Sequence, residues 1–314
     1  MQFDHLVQQL RSITAIPVTP FASDGQVDWN TYSVLIKRLV DDGIRLMTPN
    51  GNTGEFYALS WDECNRAVEV AAEAAGEGAM LLPGVGYDVA TAVEMGQFAQ
   101  QMGVAGVMIH QPVHPYQSLD GWLAYHQAIA DALPNLGIVP YIRAAWVSGA
   151  LIRRLADACP NVVGVKYAVP NPQLFAAVVQ EVGPDRLAWI CGLAEGWAPF
   201  FWIGGARGFT SGLVNAQAAL SLDMLHCLEA GDYEGAMRVW AQVKPFEDLR
   251  AQRDNANNVS VVKEALAQLG ICTRTVRPPI SELPDRERAE VSAILTAWGL
   301  VRHGNELPQV VSSS

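Results

Sequence analysis

The chain reads as an α/β protein, a (β/α)8 barrel carrying a C-terminal helical extension. Three observations lead there: short β-rich runs alternate with longer Ala-rich segments of helical period, the alternation repeats eight times at near-constant spacing, and only helical segments follow the eighth repeat. Strands are expected at Ile13 to Thr19, Ile44 to Thr48, Met80 to Gly86, Gly106 to His110, Gly137 to Tyr141, Val162 to Tyr167, Leu187 to Gly192 and Gly208 to Ser211. Helices follow them, as at Trp29 to Asp42, Trp61 to Ala75, Ala90 to Met102, Leu119 to Ala132 and Leu151 to Cys159. Ser118 is a candidate cap for the fourth of these, and Gly43 and Gly103 stand where a left-handed residue ends a helix. No G-x-G-x-x-G follows the first strand, which argues against a dinucleotide fold.

Beyond the eighth repeat, helices are expected at Gln217 to Ala230, Tyr233 to Arg250, Val259 to Leu269 and Asp285 to Trp298. Arg277-Pro278-Pro279 interrupts them, because two prolines cannot continue a helix. The division that follows is a barrel over 1–230, a helical extension over 231–307 and a disordered tail over 308–314.

Half of the 314 residues are hydrophobic, enough for a large core, and a barrel of about 250 residues is a common single unit. A net charge of −11 without any basic cluster argues against nucleic acid and against an anionic membrane surface as partners. Met1 to Leu10 lacks the apolar core of a secretory signal, and no run approaches the roughly 18 apolar residues of a membrane span, so a cytoplasmic location is expected. The five cysteines, Cys64, Cys159, Cys191, Cys227 and Cys272, are scattered and without C-x-x-C spacing, as reduced thiols would be. Cys191 ends a strand and could line a pocket.

In such a barrel the site lies at the C-terminal ends of the strands. Lys166 is one of four lysines, set in the apolar run Val162-Val163-Gly164-Val165-Lys166-Tyr167 of the sixth strand. Burial there would lower its pKa toward the range of a nucleophilic amine, although an edge-strand gatekeeper or a snorkelling side chain would read the same way. Tyr141, ending the fifth strand, can pass a proton to or from a substrate, or simply place its ring in the core. After the second strand, Gly51-Asn52-Thr53-Gly54-Glu55 can turn successive N–H groups into one concavity for a carboxylate, or form an ordinary tight turn. Thr210 and Ser211 end the eighth strand and leave room for a ligand. His110 and His114 are four apart, but Pro112 and Pro115 keep that stretch from being a helix and no third ligand is spaced to join them, so no metal is expected.

Taken in order, the Gly-Asn-Thr-Gly-Glu turn, the strand-five tyrosine and the Val-Gly-Val-Lys strand resemble the dihydrodipicolinate synthase and N-acetylneuraminate lyase superfamily. Similar stretches are Ile16-Pro17-Val18-Thr19-Pro20-Phe21 and Pro83-Gly84-Val85-Gly86. The resemblance implies a class I lyase or aldolase, commonly tetrameric and with no cofactor. Lys166 would form an imine with pyruvate or another 2-oxo acid, Tyr141 would relay protons, and Thr53, Asn52 and Gly51 would hold the carboxylate. Thr210 and Ser211 would line the imine pocket.

The chain also departs from the pattern. Synthases of this superfamily place a second threonine where Asn52 stands and a tyrosine lent by a neighbouring subunit roughly where His114 falls, which leaves His114 as a candidate relay or acceptor contact and a dimer as the minimum assembly. Their substrate arginine lies later than Arg143. Gly54-Glu55-Phe56-Tyr57, Tyr141-Ile142-Arg143, Val259-Ser260-Val261-Val262-Lys263 and Val276-Arg277-Pro278-Pro279 are closer to the 5-dehydro-4-deoxyglucarate dehydratase branch, which uses the same imine to dehydrate and decarboxylate a sugar acid. Asn52 and Tyr167 depart from that branch too, at positions usually glycine and acidic. Two further readings are a barrel of this superfamily that binds a small acid without catalysis, and a phosphate-handling barrel using Gly192, Gly204 and Gly205.

Overall fold

Nine strands, all paired in parallel, follow the order β3-β2-β1-β9-β8-β7-β6-β5-β4 in a computed structural model that describes residues 2–301. They are β1 (Ile13–Ala15), β2 (Leu46–Met47), β3 (Met80–Leu81), β4 (Gly84–Val85), β5 (Gly106–Ile109), β6 (Gly137–Ile142), β7 (Gly164–Tyr167), β8 (Ala188–Cys191) and β9 (Gly208–Ser211). The two ends of that order, β3 and β4, are halves of the third expected strand, parted at Leu82-Pro83 because proline has no N–H to give the ladder. One half pairs with β2 and the other with β5, so the chain itself closes the ring. Eight parallel strands thus form a barrel. β1 stops at Ala15 rather than Thr19, since Pro17 and Pro20 cut its donors, although Ile16 N still donates to Ser211 O at 2.8 Å.

Helices α2 (Trp29–Asp41), α3 (Trp61–Ala75), α4 (Val89–Gln101), α5 (Leu119–Ala132), α6 (Gly149–Ala158), α7 (Pro172–Val182), α8 (Ala198–Ile203) and α9 (Val214–Glu229) alternate with the strands. Their starts are fixed chemically. Asp28, Ser60, Asp88, Ser118, Ser148 and Asn171 each accept a bond from the backbone N–H three residues on, worth about 1 kcal/mol apiece, and Glu63 completes a capping box at Ser60. Because each cap lies between a strand end and its helix, it also sets the length of the loop that can carry a functional group.

Alternate strand residues face two different apolar layers, as a period of two demands. Ile138, Ile142, Trp189 and Cys191 meet the helices, while Leu46, Leu82, Met108, Val139, Ala188 and Ile190 fill the ring. The ring is plugged by a helix not expected from the sequence, α1 (Asp4–Leu10), whose Leu6 and Leu10 join the interior cluster. Gly137 begins its strand without a side chain where a Cβ would fall 2.5 Å from Leu6 Cδ2, and at Gly106 a Cβ would meet the Gly137 carbonyl oxygen at 2.4 Å as well as Leu6 Cδ2 at 2.7 Å. Leu6→Ala should therefore cost about 2–4 kcal/mol in denaturant unfolding, through lost burial and an unfilled cavity. A cost below about 1 kcal/mol would show that α1 is peripheral.

The extension contains α10 (Tyr233–Asn255), α11 (Asn258–Gln268) and α12 (Asp285–Ala297). Regular helix in α10 gives out at Gln252, and Arg253 and Asp254 have positive φ. The expected tail at 308–314, with the last residues of the extension, lies outside the described residues. No helix among the described residues is long and apolar enough to cross a membrane.

Candidate active site

Lys166 sits on β7, between β6 and β8, so it is not at a sheet edge. The register places it directly opposite Tyr141 of β6, and side chains at paired positions of parallel strands share a face. Both point into the ring, and Lys166 Nζ lies 4.1 Å from the Tyr141 ring centroid. The next residue, Tyr167, points the other way and packs on Phe175 and Phe201. Lys166 is 5% exposed. Burial, reinforced by the Arg143 cation and opposed by the Cys191 thiol, brings its pKa from the ordinary 10.5 to about 7. Burial thus makes the neutral, nucleophilic amine accessible near neutral pH. Burial likewise raises the Tyr141 phenol, against Arg143 and a hydrogen bond with the Asn52 side chain.

A cavity of about 990 Å³ opens above these groups, lined among others by Lys166, Tyr141, Asn52, Thr53, Arg143 and Thr210. The turn after β2 is built around a single 3-10 turn, Asn52–Gly54, between two residues in the left-handed region, Asn50 (φ 60°) and Glu55 (φ 61°). Its underside is fixed from the β1 loop, where Thr19 Oγ1 donates to Gly54 O at 2.7 Å. A Cβ on Gly54 would fall 2.9 Å from Pro17 O, so the close approach needs glycine. His110 supports the other side, its ring stacked on Phe56 and its Nε2 2.8 Å from Asn50 O. Burial drops the His110 pKa to about 3, so it stands there as a neutral prop.

Three of the expected site residues lie outside the cavity. Ser211 faces the helices, because it follows the inward Thr210 by one residue; its Oγ accepts from Val214 N at 3.1 Å. Gly51 is packed beneath the turn against Ile16. His114 is exposed on the loop after β5 and bonds within that loop, accepting from Tyr116 N at 3.1 Å. Cys191 also faces the helix layer and does not line the cavity. Gly204 and Gly205 press on Phe175 and Val179 of α7, which uses them for packing rather than as an anion-binding nest. Among the described residues, no group of three or more His, Cys, Asp or Glu is placed to hold a metal ion.

Gly192, weighed in the sequence only for a phosphate site, lines the cavity, and the lining residues that follow it were not anticipated. Gly192 flanks Lys166 so closely that a Cβ would lie 3.0 Å from Lys166 Cγ; its place just after a strand was the available signal. The loop beyond it leads to Trp197 and Phe200, and it is tied down by Trp240 Nε1, which donates to Gly196 O at 2.8 Å. Glu195 anchors the same loop from behind, accepting from Ser221 Oγ at 2.5 Å; burial and the neighbouring Glu247 raise its pKa to about 7. From the extension come Arg250 and Glu247, joined at 2.7 and 3.0 Å, and Asn258, whose Oδ1 accepts from Thr53 Oγ1 at 3.3 Å. Nothing in the sequence pairs those residues with the barrel.

Comparison with known proteins agrees with this geometry. The model of the dihydrodipicolinate synthetase family matches residues 9–298. A protein of Rhodococcus opacus (strain B4), named probable 5-dehydro-4-deoxyglucarate dehydratase, is 30% identical over 287 residues, covering 90% of this chain and 93% of that one. Crystal structures of dihydrodipicolinate synthase from Bacillus clausii and Oceanobacillus iheyensis are similar at 41% and 39% identity with TM-scores of 0.91 and 0.90. Each covers 94% of this chain, which in turn spans 99% and 98% of them.

Proposed function

Because the chain belongs to the dihydrodipicolinate synthetase family, we propose that it is a lyase whose Lys166 condenses with the ketone of a 2-oxo acid, pyruvate or a deoxy sugar acid. The observation that carries this reading is the buried amine of Lys166 at 4.1 Å from the ring of Tyr141. The neutral amine adds to the carbonyl, the carbinolamine loses water, and the protonated imine draws electrons from the adjacent carbon to give an enamine. Tyr141 supplies and removes protons in these steps. Thr53, Asn52 and the N–H groups of their turn hold the substrate carboxylate, and the Thr210 hydroxyl borders the imine. No cofactor enters.

Arg143 lies in the same cavity and gives a second anionic or hydroxyl-bearing end of the substrate a partner. Together with the dehydratase name borne by the Rhodococcus relative, it favours a second reading within this chemistry, a decarboxylating dehydratase. On either reading the barrel of residues 1–230 is the catalytic unit, the chain works as a homo-oligomer, dimer or tetramer, and its place is the cytoplasm. A turnover screen decides between the outcomes: pyruvate consumption with aldehydes marks an aldolase, and carbon dioxide release from deoxy sugar acids alone marks a dehydratase. Binding without turnover in both arms would leave only a small-acid receptor.

Thr53→Val tests the carboxylate assignment. Losing one hydrogen bond to a charged group should raise KM for the oxo acid about tenfold or more with little change in kcat. An unchanged KM would remove Thr53 from the site.

A further inference from the structure

Four stretches singled out in the sequence by resemblance, Ile16 to Phe21, Gly51 to Glu55, Val259 to Lys263 and Val276 to Pro279, each contribute to one buried cluster outside the cavity. Lys263 and Glu55 form an ion pair at 2.5 Å in which both side chains are wholly buried. The other Lys263 contacts complete the donor set of an ammonium: Thr275 O accepts at 2.8 Å and the face of Phe21 lies 3.9 Å away. Glu55 is the residue that ends the 3-10 turn in the left-handed region. Its second oxygen accepts from the backbone N–H of Arg277 at 3.0 Å. The Arg277 guanidinium spends all five donors, on Glu63 (2.6 and 2.7 Å), Gly25 O (2.9 and 3.2 Å) and Ala58 O (3.0 Å), and stacks over Phe21 at 4.4 Å.

We infer that Lys263 and Arg277 of the extension are positioning residues, which clamp Glu55 and thereby lock the Asn52–Thr53 turn in its substrate-binding shape. The argument is geometric. Glu55 is a non-glycine residue at positive φ, a conformation that costs energy and persists only where surroundings impose it; besides its backbone bonds to Asn52 and Ala58, its side chain is held by one ammonium and one backbone N–H, both from the extension. Thr19, holding Gly54 from below, and Asn258, meeting Thr53 from α11, tie the same turn at two further points. The extension is thus part of the binding site without reaching the reacting atoms. This inference rests on the reading of the turn as the carboxylate site.

Lys263→Met and the double variant Glu55→Gln with Lys263→Met test it in the full-length protein. The double variant leaves no orphaned charge and keeps an acceptor for Arg277, so it reports even where the single variant fails to fold. Two quantities are read: hydrogen exchange of the 51–57 amides against that of β5 and β6, and the pyruvate concentration that half-saturates borohydride trapping. The clamp gives about tenfold faster exchange in the turn alone and about tenfold weaker pyruvate saturation, with the maximal trapping rate within about threefold of wild type. Turn exchange equal to wild type, a uniform rise across the barrel, or unchanged half-saturation overturns it. Wild-type protein that traps no oxo acid would refute the proposed function, and turn exchange would then decide the clamp by itself.

Discussion

Lys166→Met should abolish turnover, by about ten-thousandfold or more, and at the same time make the protein more stable. Both effects have one cause. Removing the amine removes the covalent route, which no neighbouring group can replace: Lys263 is locked to Glu55, and Lys244 pairs with the Asp248 carboxylate at the cavity rim. The same amine is a burden on the fold. Its pKa is about 7 in the native protein and the ordinary 10.5 when unfolded. Between those values the unfolded chain binds more protons than the folded one, so this group's contribution to stability improves as pH rises through the window. Below about pH 7 both states hold the proton, and the native state carries the whole cost of a buried cation. Methionine, similar in length and apolar, escapes that cost, so the variant should exceed wild type by a few kcal/mol (order of magnitude) at about pH 6, and the gap should narrow toward about pH 10. Urea unfolding at the two pH values checks this. Equal stabilities at the lower pH would mean that the amine reaches solvent.

Tyr141→Phe should lower kcat by about a hundredfold to ten-thousandfold while leaving imine trapping on Lys166 intact. The substitution keeps the ring that lies 4.1 Å from Nζ and removes only the hydroxyl, so it separates packing from proton transfer. The rise of trapping rate with pH, centred near the amine's value of about 7, should survive in the variant, because burial and Arg143 set that value. A drop in kcat of less than about threefold would reassign the proton transfers to another group.

Most of the barrel was legible because period-two strands and period-3.6 helices leave different apolar patterns, and because strand-end residues are few enough to weigh one by one. Lys166 and Tyr141 stood out for that reason. The short helix α1 was not legible: seven residues hold too few turns for a periodic signal, and its purpose shows only in the glycines it meets across the ring. The third strand has one continuous apolar pattern in the sequence, although Pro83 splits it into β3 and β4. Thr210 and Ser211 look alike in the sequence, yet adjacent strand residues face opposite sides, so only one of the two can line the cavity. His114 was placed by resemblance alone, and its loop lies outside the cavity. The extension's role was hidden for a different reason. Glu55 and Lys263 are more than two hundred residues apart, and a buried ion pair at that separation has no local signature in the chain.

The central claim is that one buried amine condenses with a ketone, and borohydride reduction in the presence of pyruvate or another 2-oxo acid tests it most directly. Peptide mapping should find the reduced adduct on Lys166 and not on Lys37, Lys244 or Lys263, with a trapping rate that rises through about pH 7. No adduct on Lys166 with any 2-oxo acid, or labelling spread over the exposed lysines instead, would contradict the account.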